Sequence, residues 1–113
     1  MGESNAEHVS RMESAGNRKA RFLLAANIAI DDIVKEEHLN VAVMDRFKKA
    51  LADETTKQKA FDSTDDAWAM RDAIVAALPE TLKNFIVFEA KKQKFIDKFR
   101  PRLDREIVRM ALA

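Results

Sequence analysis

A chain of 113 residues falls within the size of one domain, long enough to bury a single core and too short for two. Its 47% apolar and 35% charged residues, with a formal net charge of +1, are the balance of a folded, helix-rich protein and not of a disordered one. The absence of cysteine excludes disulfide frameworks, thiolate nucleophiles, zinc knuckles and iron–sulfur ligand sets.

Glycine occurs only at Gly2 and Gly16, so the rest of the chain lacks the residue that most readily supplies turns with positive φ. Asn-Gly and Asp-Gly pairs are absent, and no sustained apolar/polar alternation marks half-buried strands. The expectation is an all-α single domain, an irregular bundle of four or five helices.

Residues 1–16 carry Ser4, Asn5, Ser10, Ser14 and Gly16, with only Val9 and Met12 as sizeable apolar groups. They read as a flexible or partly helical N-terminal tail ahead of a helical bundle domain over 17–113. The tail lacks the basic flank and apolar stretch of a secretory signal, and Ala6 stands where a myristoylation pattern wants Ser or Thr. The most apolar run, Phe22 to Ile30, is interrupted by Asn27 and is far short of the roughly 20 residues that cross a bilayer. A cytoplasmic protein without membrane association is expected.

From Asn17 to Glu37, Phe22, Ala26, Ile30 and Ile33 share one helical face, and Leu23, Leu24, Ile28 and Val34 extend it almost around the cylinder. This reads as the central helix, with Asn27 and Asp31 as its polar interruption. Asn40 is placed to cap a second helix, with Leu39 and Met44 as a hydrophobic staple; Met44, Phe47 and Leu51 form its buried stripe. The stretch Asp53 to Lys59 reads as a solvated extension or a loop.

A third helix is predicted to open at Ser63, or alternatively at Asp62, with Asp65 and Asp66 at the positive end of its dipole. Ala67, Met70, Ile74, Ala77 and Leu78 form its stripe, and Pro79 is expected to end or kink it. A fourth helix over about Glu80 to Phe99 would then align Leu82, Phe85, Ile86, Ile96 and Phe99, with Phe88 and Phe95 beside them. Pro101 is expected to start a short terminal helix carrying Leu103, Ile107 and Met110 and lacking a C-terminal cap.

Catalytic parts are sparse. No glycine-rich loop offers amides to a phosphate, and the only histidines are His8, in the tail, and His38, at the end of the first helix. No Glu-x-x-His pair occurs, and the clusters Asp62, Asp65, Asp66 and Asp31, Asp32, Glu36 read as caps and solvated faces. The chain is therefore expected to be no enzyme and to hold neither cofactor nor metal.

The charge distribution is the most suggestive feature. Between Lys91 and Arg109 stand Lys91, Lys92, Lys94, Lys98, Arg100, Arg102, Arg105 and Arg109, against Asp97, Asp104 and Glu106. A smaller basic group, Arg18, Lys19 and Arg21, precedes the first apolar run. Trp68 and Arg71 pair two residue types that carry binding energy at interfaces. The sequence reading is a non-enzymatic binding protein, an adaptor, inhibitor or regulatory subunit acting on another protein. DNA or RNA binding through the basic surface of residues 91–109 is the alternative. The excess of apolar surface on the first helix also suits a homodimer.

Overall fold

The computed structural model describes the backbone of residues 5–56 and 64–112 and the side chains of residues 18–55 and 65–112. Four helices follow in chain order: α1 over Asn5–Glu36, α2 over Val41–Thr56, α3 over Thr64–Leu82 and α4 over Glu89–Arg109. No strand is present among the described residues. No helix among them is long and apolar enough to cross a membrane. The helix α1 starts at Asn5, inside the stretch that the sequence separates as a tail. Arg18 reaches the backbone carbonyl of Leu112 at 3.1 Å, so the first turns of α1 run past the end of α4.

Each helix packs on the next around a ring: α1 on α4 most extensively, then α4 on α3, α1 on α2, and α2 on α3 least. The core follows from the predicted stripes. Phe22, Ala26, Ile30 and Ile33 of α1, Met44, Phe47 and Leu51 of α2, and Met70, Ile74 and Leu78 of α3 are all buried. Phe95, Phe99, Leu103 and Ile107 line the inner face of α4, each adding about 1.5–3 kcal/mol by leaving water. Phe47 meets Phe85 and Phe95 edge-on at 5.5 and 5.6 Å between centroids, and Phe95 stacks on Phe99 at 5.7 Å. This aromatic group ties α2 and the α3–α4 turn to α4.

The α1–α2 corner behaves as its residues predict. Asn40 Oδ1 accepts from the Val43 amide at 3.0 Å, while its carbonyl takes the Met44 amide as the helix begins. The predicted cap of α3 at Ser63, or Asp62, lies outside the described residues, as does part of the Asp53–Lys59 stretch.

Neither proline marks a boundary between helices, because Pro79 lies within α3 and Pro101 within α4. The predicted helix start at Glu80 and the separate terminal helix therefore do not form. Each proline is exposed, so water can satisfy the carbonyl that its missing N–H abandons. Buried residues on either side, Leu78 and Leu82, then Phe99 and Leu103, anchor the helix in the core before and after each proline. The reversal comes later, at Leu82, whose carbonyl accepts from the amides of both Phe85 and Ile86 at 2.9 Å. That turn buries Ile86 and packs Phe85 on the core, but leaves Val87 and Phe88 in solvent, whereas Phe88 was expected beside the buried face.

Without glycine, two helix ends are closed by residues forced into the left-handed region. His38 has φ 52° and Ala111 φ 55°. In each case the next residue turns inward: the Leu39 amide donates to the Val34 carbonyl at 3.0 Å, and the Leu112 amide to that of Ile107 at 2.9 Å. These are Schellman closures, with half-buried Leu39 and buried Leu112 supplying the apolar contact. The chain end is thus capped, contrary to the sequence expectation. A Cβ in this region costs about 1–2 kcal/mol, offset in part by the greater freedom of glycine when unfolded. Ala111→Gly and His38→Gly should each raise stability by about 0.5–1 kcal/mol in denaturant titrations, and a loss of stability in both would contradict this account.

Candidate binding surfaces: the basic face of α4 and the α2–α3 groove

Residues of α4 predicted as a basic surface face acidic residues at the end of α1, because the two helices run antiparallel. Lys98 Nζ lies 2.5 Å from Glu37 Oε1 and 3.1 Å from Glu36 Oε2, and Arg102 hydrogen-bonds the same Glu36 oxygen. One turn along, Arg105 approaches Asp32 at 3.5 Å, while Lys94 stands 4.0 Å from Glu37. Lys92 is buried and pairs with Glu89 at 2.8 Å. Arg109 lies 2.7 Å from Oε2 of the buried Glu106. Lys91 and Arg100 are the two α4 cations that are exposed and without an ion pair among the described residues.

The carboxyl of Glu36 is held below its ordinary value by the hydrogen bonds from Arg102 and then Lys98, and that of Glu37 by the hydrogen bond from Lys98. The Lys98 ammonium is raised in turn by Glu37 and Glu36. These pairs form a ladder along the α1–α4 seam.

Trp68 is half-buried at the edge of the core, and the Arg71 guanidinium lies 4.8 Å over its ring. Arg71 also reaches Asp104 of α4 and neighbouring Asp72, both at 2.8 Å, and its side chain is only 14% exposed. Asp104 chiefly raises its pKa. The predicted pair is thus brought together, and Arg71 is committed to joining α3 to α4.

Asp31, Asp32 and Glu36 do not converge on a common point. Asp31 lies 2.7 Å from Lys48 of α2, whose pKa it raises, while Asp32 and Glu36 face the α4 cations. No set of three or more metal-ligating side chains gathers among the described residues. His8 and Asp62 lie outside the described side chains.

The weakest of the ring contacts leaves an opening that the sequence did not reveal. Between α2 and α3 lies a groove of about 660 Å³, bordered by Leu51 and Thr55 of α2, Met70 through Thr81 of α3, and Lys83 to Phe85 of the turn. Its volume is that of a ligand or side-chain-binding cleft. Leu51 (6%), Met70 (7%) and Ile74 (6%) keep a residue of exposure that Phe22, Phe95 and Phe99 lack. Ala77, expected in the buried stripe, is exposed and walls the groove together with exposed Ala73. The hydroxyls of buried Thr55 and half-buried Thr81 donate to the carbonyls of Leu51 and Ala77 at 2.8 and 3.0 Å, so their protons are already satisfied within their own helices. The sequence signal was there in part, in the alanines at 73 and 77, one turn apart on α3.

No protein-family model, curated protein or solved structure matches this chain.

The charge ladder implies a defined pH response. Carboxyls whose pKa falls on folding add stability above their unfolded value, ordinarily 4.5 for Glu36 and Glu37, and lose it as pH drops through the lower folded value. Glu36→Gln/Glu37→Gln should therefore destabilise the protein at pH 7, with the difference from wild type shrinking below about pH 4.5. The same difference should narrow at about 1 M salt. Thermal melts of both proteins across that range check it, and a difference unchanged at pH 3 would contradict the pairing.

Proposed function

We propose that this chain is a non-enzymatic binding protein that acts by taking a segment of another protein into the α2–α3 groove, in the manner of an adaptor, inhibitor or regulatory subunit. The observation that carries this reading is the groove itself: a largely apolar cleft whose floor belongs to the core and whose α3 wall includes the exposed Ala73 and Ala77. Apolar surface held open at a helix–helix seam costs stability, because the same residues could have been buried by a tighter seam. A helix or extended segment from a partner recovers that burial.

Nucleic-acid binding through α4 draws less support. Phosphate recognition needs cations available to an anion. Here Lys98, Arg102, Lys92 and Arg109 are already opposed by carboxylates at close range. Phe95 and Phe99, which alternate with them in sequence, are fully buried and offer bases no stacking surface.

Two variants separate the readings. Ala77→Trp fills the groove from an exposed position, and Lys91→Glu/Arg100→Glu reverses the unpaired α4 cations without touching the ladder. Peptides selected from a helical display library on the wild-type protein should weaken by at least about tenfold on Ala77→Trp and bind the double variant normally. If instead the chain binds labelled DNA or RNA steeply with falling salt, and the double variant loses that binding, the basic face is the functional surface.

A further inference from the structure

We infer that the end of the bundle formed by the α1–α2 corner and the α3–α4 turn docks on the surface of an anionic lipid bilayer. Three exposed apolar side chains stand there beside cations that no carboxylate opposes.

The fold brings the two connections together. Phe47, in the second turn of α2, meets Phe85 of the α3–α4 turn and Phe95 of α4, while Lys94 stands 4.0 Å from Glu37 just past the end of α1. Val41, Val87 and Phe88 therefore lie at one end of the molecule, and they are 64%, 88% and 69% exposed. The other large apolar side chains left in water among the described residues are Leu24 and Val108.

Neither the core nor the helix accounts for Phe88. It occupies the N-cap position of α4, where Ser, Thr, Asn or Asp would accept from a free amide, and its side chain makes no cap bond. It is not packed against the core, unlike Phe85 three residues earlier. Two consecutive apolar residues left in water on one turn carry a hydration cost that a covering surface relieves.

The charges around them are uneven once pairing is counted. Residues 83–94 hold Lys83, Lys91, Lys92 and Lys94 against Glu89. Lys83 is 2.9 Å from Glu80 and Lys92 2.8 Å from Glu89, so those two are opposed. Lys91 is exposed and has no ion pair among the described residues, and Lys94 reaches only Glu37, which Lys98 holds more closely at 2.5 Å. On α2, Arg46 is likewise exposed and unpaired, while its neighbour Asp45 shares Lys48 with Asp31. Each acid at this end thus has a cation beside it, whereas Lys91 and Arg46 have no acid.

A bilayer fits this chemistry. At such exposure Val87 and Phe88 have few neighbours to frame a socket for a protein side chain, and the α2–α3 groove ends at Phe85. A second copy in a two-fold pairing would set the cationic patch against itself. Val41 and Val87 give a nucleic-acid base no ring to stack on. At a lipid surface, Val87 and Phe88 enter the acyl boundary while lysine stems lie along it, with their ammonium groups among the lipid phosphates. Such a contact needs no helix that crosses the membrane.

The test sediments the full chain with vesicles of phosphatidylcholine alone or with about 30% phosphatidylserine, at low salt and at about 1 M salt. Partitioning onto the anionic vesicles should exceed that onto the neutral ones by at least about tenfold at low salt and fall at high salt. Val87→Ser/Phe88→Ser should lower it by at least about tenfold, and Arg46→Glu/Lys91→Glu should remove the preference for phosphatidylserine. Leu24→Ser/Val108→Ser, at the other exposed apolar sites, and Ala77→Trp, in the groove, should bind as wild type, with circular dichroism verifying the helices of every variant. Because the chain has no cysteine, Val87→Cys and Val108→Cys each take one polarity-sensitive dye, and only the first should shift to the blue on anionic vesicles. Binding to neither vesicle, equal binding to both, no dye shift at position 87, or equal loss in the two serine pairs overturns the inference. Salt-sensitive binding that survives Val87→Ser/Phe88→Ser overturns it as well, because charge alone then makes the contact.

Discussion

The antiparallel seam between α1 and α4 is the contact on which the rest of the structure hangs. Phe22, Ile30 and Ile33 on one side and Phe99, Leu103 and Ile107 on the other are withdrawn from water. Along the solvent edge of the same seam, Glu37, Glu36 and Asp32 meet Lys98, Arg102 and Arg105. The apolar part supplies most of the free energy, since exposed ion pairs contribute little individually. With α1 and α4 fixed, α2 is held by Phe47 against Phe95 and α3 by Arg71 against Asp104.

This arrangement changes the meaning of the basic C-terminal stretch. A strong local excess of positive charge is partly met from within by an acidic stretch some sixty residues earlier in the chain. Half of the stretch's eight cations, Lys94, Lys98, Arg102 and Arg105, stand against carboxylates of α1 along an internal interface.

Patterns that depend on neighbours in sequence were legible, and those that depend on the spacing of distant elements were not. The Asn40 cap and the stripes through Phe22, Met44 and Met70 are local, and they appear where periodicity puts them. The prolines misled because their penalty of about 3 kcal/mol is also local, and buried residues on both sides outweigh it. The cap at Ala111 was invisible because left-handed backbone is signalled by glycine, and this chain places other residues there. The groove was only hinted at by the alanines of α3: Ala77 fits a buried stripe equally well, and only the separation of α2 from α3 decides that it is a wall.

The two glycine-free helix ends bear on how the molecule comes together. A left-handed alanine or histidine has no local reason to form, so these closures exist only once Leu39 and Leu112 have core to dock against. Helix termination is then a product of tertiary packing and not a precursor to it. Opening the core should release the last turns of α1 and α4 together with it, which makes their amide exchange a reporter of cooperative unfolding instead of local fraying.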